Sequence, residues 1–136
     1  MPRNYEVRER GGKEEEGSIR ISMLGTIRVA LPGEDFVPLR GVRIRTLLGL
    51  MVADCILSRP LSPEEFLRLA GGDDPDLEHA RKKKNMGVVR LREILGREAI
   101  LTDEETPRLH ADIVTVDLIR ANELLSEVGG AIREGR

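Results

Sequence analysis

The densest chemistry in this chain is cationic. Between residues 79 and 97 lie seven Lys or Arg side chains and a single acid, Glu93. The remainder is acidic, so the 136 residues sum to a net charge of −2. Guanidinium and ammonium groups clustered in this way suit phosphates. They act locally, because salt screens charges more than about 10 Å apart. A pI near 5.8 argues against indiscriminate binding of nucleic acid by the whole chain.

Other chemistries lack their residues. Cys55 is the only cysteine, which excludes an internal disulfide and a multi-Cys zinc cage. It is expected as a small buried hydrophobe at the end of the first helix. His79 and His110 are too few for a metal site without clustered cysteines. His79 is placed to touch phosphate and His110 is expected within a strand. Residues 73–78 (DDPDLE) lack the ligand spacing and closing Glu of a calcium loop. No glycine pattern builds a P-loop or dinucleotide site, and no G-x-S-x-G elbow occurs. No catalytic residue, metal ligand or cofactor is therefore assigned, and an enzyme is the least favoured reading.

The cations need a helix to hold them, and the spacing predicts one over about 77–95. Leu77, Ala80, Lys84, Val88, Leu91 and Leu95 recur at steps of three and four and trace an inward face. Lys84 is its one charged member, expected to pack its stem and send its ammonium out. His79, Lys83, Met86, Arg90 and Arg97 fall on another face, with Arg81, Asn85 and Arg92 between. Arg81 and Arg92 are equally open to a structural role, paired with Glu78 or Asp73. Asp76 caps the start, and Gly96 ends the helix.

The flanking elements follow the same reading. Ile19, Ile21 and Met23, then Ile27, Val29 and Leu31, alternate with a period of two and predict strands around a turn at Gly25. Pro38 confines the short strand 36–39 to a sheet edge. Helical spacing places a first helix at about 42–54. Ser62, Pro63 and Glu65 form a capping box that opens a second, with Phe66, Leu67 and Leu69 inward and Gly71-Gly72 as the stop. Residues 99–102 and 108–111 predict a hairpin around the acidic turn 103–106. A short strand at 114–116 precedes a last helix from Leu118 to about Val128, capped by Asp117. Its Leu118, Ala121, Leu124 and Leu125 share a face, and the glycine-containing end from 129 on is expected to fray. Aromatic residues make up 2%, so the core is aliphatic. No apolar run approaches the roughly 20 residues of a membrane span, and no secretory signal opens the chain. A soluble cytoplasmic protein is expected.

Three strands, three helices, a hairpin and a helix, in that order, resemble a winged helix-turn-helix. The residues themselves are similar to the OmpR/PhoB-type winged helix, and within it to the DNA-binding domain of SARP-like transcriptional activators. The similarity rests on Met23 to Val29 (MLGTIRV) and on Pro38, Leu39 and Gly41 before Arg45, Leu47, Leu48 and Leu50. It continues through Ser62, then Gly72-Asp73-Asp74, then Ala80-Arg81-Lys82. Val88 to Gly96 (VVRLREILG) and Thr115 to Leu125 complete it.

The resemblance implies an α+β fold: an N-terminal antiparallel β-sheet, a three-helix core, a C-terminal β-hairpin wing and an extra C-terminal helix. Residues 1–17, polar, glycine-containing and mixed in charge, are expected as a flexible tail; the resemblance implies a winged helix-turn-helix domain at 18–112 and an extension at 113–136 that begins a further domain. The third helix would lie in the DNA major groove, with Lys83, Met86, Gly87, Arg90 and Arg92 toward the groove and Arg81 and Lys82 bordering phosphates. Gly87 stands where the family carries a larger groove residue, and Gly71 where it often has Trp. The hairpin 99–111 would be the wing, and loop 71–76, with Gly72, Asp73 and Asp74, would contact RNA polymerase. The implied partner is double-stranded DNA in direct repeats, bound by a dimer that forms on DNA, with no cofactor. The alternative is a winged helix repurposed for protein contacts, favoured by the acidic pI, Gly87, the acidic hairpin turn and the amphipathic last helix.

Overall fold

The structure is a computed structural model that describes residues 18–57, 59–103 and 105–133. The expected tail 1–17, Glu104 in the hairpin turn and residues 134–136 lie outside these. The fold is α+β, with four helices, a four-stranded mixed sheet and a separate two-stranded hairpin.

The amino-terminal residues form β1 (Ile19–Ser22), β2 (Arg28–Ala30) and β3 (Val37–Pro38). β1 and β2 pair antiparallel, with Ile21 opposite Val29, and β3 pairs antiparallel with β2 at the sheet edge, where Pro38 is tolerated. The turn at Gly25 uses φ 100°, a conformation that favours glycine.

The expected antiparallel sheet is in fact mixed. β6 (Val114–Val116) lies parallel to β1, with Ile19 opposite Val114 and Ile21 opposite Val116. Parallel strands require a long crossover, and here every helix of the core and the hairpin lies between the two. Residues 113–116 thus complete the same sheet that residues 19–22 begin. Asp117, expected as a cap, is the first residue of the last helix, α4 (Asp117–Arg133). Its carboxylate accepts the Met23 and Leu24 amides, at 2.8 and 3.3 Å, and ties α4 to the end of β1.

Helix α1 spans Val42–Ile56. Helix α2 (Pro63–Ala70) opens on the expected capping box: the Ser62 hydroxyl accepts the Glu65 amide and the Glu65 carboxylate accepts the Ser62 amide. Helix α3 spans Leu77–Leu95 and begins at Asp76, whose carboxylate accepts the Glu78 and His79 amides. A short 3-10 turn (Arg97–Ala99) leads to the hairpin of β4 (Ile100–Leu101) and β5 (Arg108–Leu109). It is shorter than expected: Ala99 belongs to the 3-10 turn, and His110 lies just beyond β5.

A single aliphatic cluster joins these layers. Ile19, Ile21 and Val29 of the sheet meet Leu47, Leu48, Met51 and Val52 of α1, and Phe66, Leu91 and Leu95 close it from α2 and α3. Several expected core residues lie outside it. Leu69 and Leu77 are exposed, whereas Ala70 and Ala80 are buried and Ala80 lies close against Gly71 at the end of α2. Cys55 is also exposed, although partial burial and the neighbouring Asp54 still raise its thiol pKa. Leu118 and Ile119 of α4 pack on the core, whereas Leu124, Leu125 and Val128 face outward. The helix continues through Gly129 to Arg133 where fraying was expected. Among the described residues no helix is long and apolar enough to cross a membrane.

Candidate functional site

The cationic run folds onto α3, and packing sorts it into two sets. Ala80, Gly87, Val88, Leu91 and Leu95 are the buried residues of the helix. At about 100° per residue, the direction opposite them carries Lys82, Met86, Val89 and Glu93. Arg81 and Asn85 flank this ridge on one side and Arg90 on the other. All of these side chains are exposed, Met86 at 68% and Val89 at 54%. The open face is therefore turned by about 60°, a little over half a residue step, from the face expected at His79, Lys83, Met86 and Arg90.

Gly87 marks the turn most clearly. It was expected toward the groove, but it is buried against α1, and a Cβ there would lie 2.9 Å from Leu47 Cδ2. The missing side chain lets the two helices approach, so it is no gap in a contact surface. Val89 occupies the open position instead. The signal available in the sequence was the angle of Leu91 and Leu95, which points Gly87 inward and Val89 outward.

Lys83 also departs from expectation. Its Nζ lies 3.1 Å from Asp74 Oδ2 and 3.5 Å from the Gly71 carbonyl, so it folds back on the α2–α3 loop. His79 Nδ1 faces the same Asp74 oxygen at 2.7 Å. Asp74 in turn accepts the Asp76 amide at 2.9 Å. That backbone bond, with the Lys83 and His79 contacts, lowers the Asp74 carboxyl to about 2. Of the loop residues expected to meet a polymerase, Asp74 is thus committed within the protein. Gly72 and Asp73 take the left-handed conformation, and the Asp73 carboxylate is exposed, 3.8 Å from Arg68 Nε.

Arg92 was expected in the groove or paired with an acid. In the free protein its Nη2 donates to the Ile100 carbonyl at 2.8 Å and to Thr102 Oγ1 at 3.1 Å. Lys84 behaves as expected of a packed stem with an outward ammonium. Its Nζ donates to the Glu105 carbonyl at 3.4 Å, and burial, with Arg81 nearby, lowers its pKa. In the hairpin, Arg108 Nη2 donates to Asp103 at 2.9 Å, and this bond lowers the Asp103 pKa. His110 Nδ1 lies 3.1 Å from the Glu98 carbonyl.

The open face is left with Arg81, Lys82 and Arg90 around an apolar ridge. Arg90 has Glu93 at 3.8 Å, a contact in which both side chains are two-thirds exposed and which costs little to exchange. Cations beside Met86 and Val89 can neutralise phosphates while offering apolar contact to base edges. Among the described residues no three His, Cys, Asp or Glu side chains gather as a metal site. No protein-family model, curated protein or solved structure matches the chain.

Proposed function

We propose that this chain is a double-stranded DNA-binding module of a transcriptional regulator, a winged helix-turn-helix of the OmpR/PhoB type resembling the SARP-like activators. In this reading α3 enters the major groove and the hairpin β4–β5 is the wing. The observation that carries it is the open face of α3, where Arg81, Lys82 and Arg90 surround Met86 and Val89 while the opposite face is core. The order of elements supports it: three helices, then a hairpin directly after the cationic one. Groove contacts fall to Lys82, Met86, Val89 and Arg90, and Arg81 borders the backbone. Direct repeats, and a contact between Asp73 and RNA polymerase, are the partners that the resemblance adds.

The test is selection of bound fragments from a random duplex pool, followed by a salt titration on the enriched sequence. Binding should weaken steeply with salt, because each neutralised phosphate releases about 0.9 counterion. Lys82→Glu combined with Arg90→Glu should lower affinity roughly tenfold or more and flatten the salt slope by about two. Lack of enrichment and of salt-dependent retention, from folded protein, overturns the reading.

One observation favours a second reading, a protein-interaction module. Met86 and Val89 on α3, and Leu124, Leu125 and Val128 on α4, are exposed. That reading expects partner binding that Met86→Ser weakens and salt barely changes.

A further inference from the structure

The hairpin following α3 has little of its own to hold it in place. Each strand is two residues long, Ile100–Leu101 and Arg108–Leu109. Isolated two-stranded hairpins are marginal in water. Its root is buried at Ile100 and Leu109, but its turn lies beyond the core. Two side chains reach out to it from α3. Arg92 Nη2 donates to both the Ile100 carbonyl and Thr102 Oγ1, and Lys84 Nζ donates to the Glu105 carbonyl on the far side of the turn. Between them lies a cleft of about 330 Å³, with Val88 and Pro107 on its walls.

We infer that Arg92 is a positioning residue: it latches the hairpin to α3 and so sets where the hairpin stands beside the open face. The guanidinium geometry fits this better than a ligand contact. One nitrogen serves two acceptors two residues apart on the first arm of the hairpin, and Nε is buried with no partner among the described residues. A Lys ammonium, strongly hydrated and on a flexible stem, holds these two acceptors less firmly than the planar guanidinium does. Lys84 supports the other end of the same arm through a longer bond.

The consequence for binding rests on the DNA reading above; the latch itself does not. A duplex that touches both α3 and the hairpin requires a set distance between them. Losing the latch then weakens binding by loosening geometry, without changing how many phosphates are neutralised.

Arg92→Lys separates these roles because it keeps the charge. Amide hydrogen exchange of the free protein is the primary measurement, with Thr102→Val as a second variant that leaves α3 intact. Exchange at His110, whose amide donates to the Ala99 carbonyl at 2.9 Å, should speed up roughly tenfold in Arg92→Lys and less in Thr102→Val. Leu91 and Leu95 should stay protected in both. If DNA binds the parent protein, Arg92→Lys should lower affinity roughly tenfold with an unchanged salt slope. Unchanged hairpin exchange in both variants overturns the latch, whatever DNA does. So does affinity retained in Arg92→Lys but lost, with a shallower slope, in Arg92→Met, since that marks a phosphate contact. Faster hairpin exchange in a protein that binds no duplex upholds the latch and removes only the DNA reading.

Discussion

The packed and open sides of α3 draw on the same residue types to opposite ends. On the packed side Lys83, Lys84 and Arg92 spend their donors on the protein itself: the α2–α3 loop, the hairpin turn and the hairpin root. On the open side Arg81, Lys82 and Arg90 remain exposed. A count of basic residues treats the two groups alike. Only the direction of each side chain separates cations that organise the fold from cations left to meet another molecule.

Four substitutions and one paired control sharpen the contrast. The largest effect belongs to the packed side: Leu91 is 0% exposed, and Leu91→Ala should cost about 2–5 kcal/mol. Urea unfolding should show a lower midpoint with an unchanged slope. Next is Gly71→Ala, where the new Cβ would lie 2.5 Å from Ala80 Cβ and 2.9 Å from Ala80 Cα. Backbone cannot yield as a side-chain tip can, so about 1–3 kcal/mol should be lost. Gly87→Ala is the paired control. Its only close neighbour among the described residues is the end of the Leu47 side chain, and Ala improves helix propensity by about 0.8–1 kcal/mol. Its net change should stay within about 1 kcal/mol. A Gly87→Ala variant as damaged as Gly71→Ala would show that α1 and α3 are locked more tightly than this geometry implies.

The third concerns acid. Asp74 holds its proton less readily when folded, with a pKa of about 2. The stability it confers is complete above the ordinary carboxylate range and is lost as pH falls from about 4 toward 2. Asp74→Asn should therefore flatten the fall in stability across that window, measured by thermal melts at stepped pH. The smallest effect on stability belongs to the open side. Lys82→Glu should change it by no more than about 0.5 kcal/mol, while reducing duplex binding more than any equally mild change to the packed side. Equal loss of stability from Lys82→Glu would erase the distinction between the two sides.

Local chemistry was the most legible part of the fold. The bounds of α3, its Asp76 cap and the Ser62–Glu65 capping box all follow from a few adjacent residues whose hydrogen bonds close within one turn. The edge position of Pro38 is equally local. The parallel pairing of β1 with β6 was not legible. It joins Ile19 to Val114 across most of the chain, and Val114–Val116 carries no mark of its partner's direction. The candidate site was legible as a cluster of charge on a helix, not as a surface. Gly87 has no side chain to declare a face, and the face marked by His79, Lys83, Met86 and Arg90 lies about 60° from the direction opposite the buried residues.

What the sequence determined by itself was an α+β chain with one cationic helix, because periodicity, caps and glycine stops act within a few residues of each other. What only the tertiary structure decided was the use of each cation. Helical spacing sets the angles between side chains, but α1, the loop at Asp74 and the hairpin at Ile100 determine which of those angles meet protein and which meet solvent.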